Sequence, residues 1–269
     1  MSNPVFNENR FNSNYSNNGY NQTTYNQNTN YNTNYDTVSN QRNVMTVNGS
    51  IGKTFILGIV FAVASYLSYL YFFKDGYADF AKMSTVSIIS VIAAFIVALI
   101  ISFKPKTAPS LAVVYAALES IAITAISIGY AAQYAGIVLQ AILGTLIVLF
   151  VMLALFRARI IRATETFKSV VAIATISIAI FYLAMFVLSF FNITPDFFYG
   201  SGTVSLLISG AIIIIAALNL ILDFDFIEKG SAAGYPKYME WYAAFGLMVT
   251  IVWLYIEILR ILAKFRNKE

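Results

Sequence analysis

TVSLLISGAIIIIAALNLILDFDFI, residues 203–227, runs for 20 residues without a charge before reaching its first acid, Asp223. A helix of that length, rising about 1.5 Å per residue, crosses the roughly 30 Å hydrocarbon core of a bilayer. The rest of the chain has the same character. Hydrophobic residues make up 59% of it and charged residues only 11%, whereas a water-soluble domain carries roughly a quarter. A membrane protein is therefore the first expectation.

Working outward from that stretch, the spacing predicts seven spans, at about 54–73, 83–103, 109–130, 136–156, 169–191, 203–227 and 242–263. Their uniform hydrophobicity lacks the alternation of a membrane barrel, and backbone groups in lipid must bond within their own segment, so the spans are expected to be helices. The third and fourth are separated only by AAQYA, residues 131–135, which predicts an antiparallel hairpin. The fold class expected is an all-α seven-transmembrane-helix bundle over residues 49–269, with the lipid bilayer as its surroundings. Residues 1–48 are rich in Asn, Gln, Thr and Ser and cannot bury enough apolar surface to offset ordering, which predicts a disordered tail. Its regular tyrosines suit either prion-like self-association or, more simply, a solvated tail.

About 11 Lys and Arg fall on the side that holds the N-terminus, and about 6 on the other. The positive-inside rule then predicts a multi-pass protein of the cell (inner) membrane with a cytoplasmic N-terminus and an outside C-terminus. The formal charge of +4 reflects loop residues and gives no reason to expect a nucleic-acid partner. The chain has no Cys and no His, which removes disulfides, thiolate metal sites, cysteine nucleophiles and the usual general base. No phosphate-binding loop, zincin motif or nucleophile elbow occurs. Neither an enzyme nor a cofactor is expected. Proton or cation chemistry must rest on carboxylates, hydroxyls and backbone carbonyls.

Four acids fall at membrane depth, where a carboxylate costs about 2.5–3.5 kcal/mol even on the lenient insertion scale. Glu119, in YAALES, is roughly 15 Å into the third span. It reads as a neutral packing group, a group in a water-filled cavity, or a cation ligand. Asp223 and Asp225 lie about 200° apart around a helix, so only one can face the bundle. Asp223 is the expected buried acid. Asp225, with Glu228, is expected at a solvated helix end. Glu257 stands three residues before Arg260, the spacing of an ordinary helix ion pair.

ALNLILDFDFIEKG and MEWYAAFGLMVTIVWLYIEILRIL resemble the last two helices of the Bax-inhibitor family, seven-helix membrane proteins that include the bacterial YccA group. YAALES, GIVLQAILGTLIVLF and FRARIIRATETF fit the same branch, and the resemblance covers about residues 50–265. It implies a bundle with a central last helix. It also implies a pH-sensitive calcium leak in which an aspartate of helix six pairs with one of helix seven and gates the path. Asp223 occupies the first position and is a possible calcium ligand. Thr250 occupies the second, so one acid of the pair is replaced by a hydroxyl. Glu119, Asp225 or Glu257 would then have to supply the second carboxylate. Calcium enters as a transported ion, not as a resident cofactor. An alternative implied by the YccA group is a non-transporting regulator that binds another membrane protein, such as an inner-membrane protease. A generic transporter is disfavoured by the missing inverted repeat.

Overall fold

The computed structural model describes residues 43–74, 77–193 and 195–268. Among the described residues, seven helices are long and apolar enough to cross a membrane: α1 (Val47–Phe72), α2 (Phe80–Phe103), α3 (Ala108–Gln133), α4 (Ile137–Arg157), α5 (Glu165–Phe190), α6 (Thr203–Ala232) and α7 (Met239–Arg266). Phe73–Lys74 and Tyr77–Ala78 pair antiparallel between α1 and α2, a short 3-10 turn at Pro105–Thr107 leads into α3, and Asp196–Tyr199 forms a single turn before α6.

The starts and stops follow local chemistry. Thr46, Asp79 and Thr164 cap α1, α2 and α5 by accepting the amides of Gly49, Lys82 and Phe167, which satisfies donors that no helical carbonyl reaches. The hairpin between α3 and α4 turns on Gly136, whose φ of 74° is left-handed and favours glycine.

Three differences from the sequence expectations have one cause. Hydropathy falls at the first charged or polar residue, but a helix continues wherever its ends are capped and its charges reach partners or the interface. The expected tail boundary at residue 48 is thus too late. Residues 1–42 lie outside the described residues, while Val44 bridges to Pro236, Met45 is buried and α1 begins at Val47, seven residues before the expected start. α5 begins at Glu165, and α6 continues to Ala232, so Asp225 and Glu228 lie within a helix and not beyond its end.

α7 is the central helix. It packs on α1, α3, α4 and α6, and its buried residues fall around its whole circumference, from Ala243 and Ala244 through Leu254 and Leu259 to Ala263. Small residues, Ala216 and Ala217 on α6 with Ala243, Ala244 and Gly246 on α7, line these helices and let backbones approach, the packing that works where lipid is as apolar as leucine. By contrast α2 and α5 are peripheral. Ile88, Ile92 and Phe95 on one, and Ile173, Ile176 and Ile180 on the other, point away from the protein. Such faces are intolerable in water and suit acyl chains.

Candidate functional site

Asp223 is near the middle of the α6–α7 contact. Its Oδ2 is buried and has no hydrogen-bond partner among the described residues. A Cβ placed on Gly246 of α7 would stand 3.7 Å from Asp223 Oδ1, so the glycine leaves open space beside the carboxyl without being forced by it. Thr250, one turn farther along α7 and buried, lies near the same carboxyl. Its hydroxyl donates to Gly246 O at 3.2 Å. A hydroxyl has one proton to give, so Thr250 can serve the Gly246 carbonyl or the Asp223 carboxylate, but not both at once. The structure therefore joins the two positions singled out as the helix-six and helix-seven halves of a site, and it fills the second with a neutral donor.

Glu119 has Tyr115, one turn earlier on α3, as its side-chain partner, and Tyr115 packs edge-on against Phe245 of α7 with ring centroids 4.9 Å apart.

Asp225 departs from its expected place at a solvated helix end. It is only 9% exposed, and its Oδ2 takes Lys229 at 2.9 Å and Lys168 of α5 at 3.2 Å. Burial is tolerated because two ammonium groups supply the lost solvation. Glu228 does reach the surface, where it pairs with Arg159. The helical geometry that separates Asp223 from Asp225 holds: one meets α7, the other α5.

Glu257 was expected as half of an ordinary helix ion pair, and the pairing with Arg260 exists at 3.3 Å. However, the carboxylate is 1% exposed and accepts a hydrogen bond from Tyr182 of α5 at 2.5 Å. Arg260 donates to the same Tyr182 oxygen at 2.8 Å. One turn on, the buried Lys264 donates to Ser205 Oγ and Phe198 O, each at 2.7 Å, and to Ser209 Oγ at 2.8 Å. These contacts tie the far end of α7 to α5, α6 and the 196–199 turn. They make a closed network remote from Asp223, because seven helical residues separate Thr250 from Glu257, about 10 Å along the axis.

Glu240 was missed by sequence reasoning. It is completely buried at the start of α7, and its Oε1 accepts Thr46 N at 3.0 Å, Thr46 Oγ1 at 2.9 Å and Lys237 Nζ at 2.7 Å. Its Oε2 has no partner among the described residues. Gly49 completes the pocket, since any side chain there would occupy the space of the Glu240 carboxyl. Together with Met45 N to Tyr235 O at 2.6 Å and Lys237 N to Asn43 O at 2.9 Å, these bonds form a strap (residues 43–46) across the α6–α7 turn. An acid in the first turn of a helix is so ordinary a sign that nothing in the sequence distinguishes this one.

A cavity of about 600 Å³ opens on another face of α7, between α1, α3 and α4, with Thr124, Ser127, Met248, Val252 and Tyr255 among its walls. Neither Asp223 nor Glu119 lines it. Among the described residues no three acids gather as a metal-binding group.

A family profile described as Bax inhibitor 1 like matches residues 3–267. Among curated proteins, none matches this chain.

Proposed function

Because the chain belongs to the Bax inhibitor 1 like family, we propose that it lets cations leak slowly across its membrane under the control of Asp223. The observation that carries this reading is the Asp223 carboxyl itself, with a buried oxygen that no partner satisfies beside the glycine and threonine of the central helix. A carboxyl without a fixed partner changes its interactions on gaining or losing a proton. When Asp223 is neutral, Thr250 keeps its bond to Gly246 O. When Asp223 is charged, the hydroxyl turns to it and frees the carbonyl, so that a carboxylate, a hydroxyl and a carbonyl oxygen are offered at one place on α6 and α7. Those are hard oxygen ligands of the kind calcium takes, and calcium is the cation we assign. One carboxylate holds a divalent ion weakly, as passage requires.

We place the protein in the cell membrane with the strap end cytoplasmic, and assign it neither an enzymatic activity nor a resident cofactor. The test is calcium entry into proteoliposomes carrying a trapped indicator, measured from acid to neutral pH. Flux should exceed that of empty liposomes and vary with pH, and Asp223→Asn should abolish the pH dependence. Flux equal to empty liposomes at every pH would refute the assignment.

The strap supports a second reading, a regulator that binds another membrane protein. Residues 43–46 connect the preceding 42 residues directly to the α6–α7 turn, so a partner that gripped the N-terminal segment would pull on the central helix. Co-purification of a membrane protein from the source cells, lost on deleting residues 1–42, is the outcome this reading requires.

A further inference from the structure

A second cavity, of about 330 Å³, lies at the strap end of the bundle between α5 and α6, under Tyr235 of the α6–α7 turn. Its upper wall is ionic, formed by Lys168 in the first turn of α5, Lys229 in the last turn of α6, and Asp225. Its lower wall is apolar, with Ala172, Leu222 and Phe226. Both ammonium groups converge on a single oxygen, Asp225 Oδ2, at 2.9 and 3.2 Å, and they lie near each other. Two like charges this close repel, and one carboxylate compensates only one of them.

Among the described residues, Asp225 is the one acid that lines the cavity. Lys168 also meets Glu165 at 3.0 Å, but Glu165 is 87% exposed, and its charge is screened by water and salt. Glu228 is engaged by Arg159. The turn from α4 to α5 adds Arg157 and Arg162 on the same side. Each ammonium has three protons to donate, and Asp225 uses one of each.

We propose that this cavity binds the headgroup phosphate of an anionic membrane phospholipid. The phosphate bridges Lys168 and Lys229, and the glycerol end of the acyl chains lies against Ala172, Leu222 and Phe226. The layering of the site matches the layering of the ligand: cationic at the end of both helices, apolar one turn deeper, and open on the face of a bundle that lipid surrounds. Basic pockets between helices at the membrane surface capture phosphates in this way. The site is independent of Asp223, which points to the opposite side of α6, so it stands or falls separately from the proposed leak.

Native mass spectrometry of the full chain, released from detergent containing equal amounts of phosphatidylglycerol and phosphatidylcholine, tests it. Phosphatidylglycerol should be retained at least about tenfold more than phosphatidylcholine, and the double variant Lys168→Gln, Lys229→Gln should remove that preference. Asp225→Asn, which removes the competing carboxylate but keeps both lysines, should increase retention; a merely structural role for the lysines gives no increase. A phosphatidylglycerol preference that survives in the double variant, no gain with Asp225→Asn, or displacement of the lipid by millimolar inorganic phosphate would each overturn the assignment to a lipid headgroup.

Discussion

Replacing Glu240 by alanine tests whether the strap is held by hydrogen bonds or merely rests on a helix end. Oε1 accepts two donors from Thr46, at 3.0 and 2.9 Å, and one from Lys237 at 2.7 Å. A hydrogen bond to a charged group contributes about 1.5–3 kcal/mol. Lys237 is 49% exposed, so water replaces most of what it loses and its share is discounted. The two Thr46 bonds remain, and with Thr46 only partly buried their joint loss comes to about 3 kcal/mol, the lower end of the range. The alternative view treats Glu240 as an acid near a helix N-terminus, worth about 0.3–1 kcal/mol.

The two estimates separate clearly in hydrogen exchange. At about 1.4 kcal/mol per tenfold, a loss of 3 kcal/mol speeds local opening of the strap by roughly a hundredfold, against fivefold or less for the dipole alone. The amides to follow are Thr46, which bonds Glu240 directly, and Gly49, which bonds the Thr46 hydroxyl. Both should accelerate together in Glu240→Ala, with the amides of α3 unchanged. Glu240→Gln keeps the acceptor but not the charge and should fall between. Acceleration below fivefold at Thr46, or equal acceleration throughout the bundle, would refute the reasoning.

Two other substitutions probe the middle and the far end of α7. Removing one member of a buried ion pair costs about 3–5 kcal/mol because the other is stranded, so Glu257→Leu should lower the thermal midpoint more than the double variant Glu257→Leu, Arg260→Met does, as measured by melting in detergent. Thr250→Asp restores the second carboxyl that the family resemblance places there. Two interacting carboxyls titrate as a pair in two steps, so the pH profile of calcium flux should broaden from one step to two, and an unchanged profile would separate Thr250 from the gate.

The seven spans were legible because lipid imposes one rule, that long uncharged runs form helices that satisfy their own backbones, while the central last helix came only through the family resemblance. Asp223 and Thr250 were legible as a pair through the motifs that carry the family resemblance, and the 200° argument correctly parted Asp223 from Asp225. What escaped was everything that depends on which helix stands beside which. Asp225 is buried because Lys168, 57 positions earlier, reaches it. Glu257 is buried because Tyr182 covers it. Glu240 is a latch because Thr46 returns from the other end of the chain. Hydropathy along one helix contains none of these partners, and it reads each charged residue as a span end when the charge is neutralised from outside.

Glu240, Gly246 and Thr250 lie on one helix within ten residues, and this bears on how the strap could reach the acid. Six residues separate Glu240 from Gly246, about 9 Å of helix, and Thr250 is one turn beyond. A shift of α7 against α6 on release of the strap would carry these three residues together. The Asp223 contact is the place where such a shift has two discrete outcomes, because the Thr250 proton is shared between Gly246 O and the carboxyl. Coupling of this sort needs a bistable element that both ends bias, and the threonine hydroxyl is one. It follows that Glu240→Ala should alter the pH dependence of calcium flux as well as the exchange of the strap, and that the effect should vanish in Glu240→Ala combined with Thr250→Val, which keeps the packing and removes the proton. If the double variant keeps the shifted pH profile, the strap acts on the leak by a route that does not pass through Thr250.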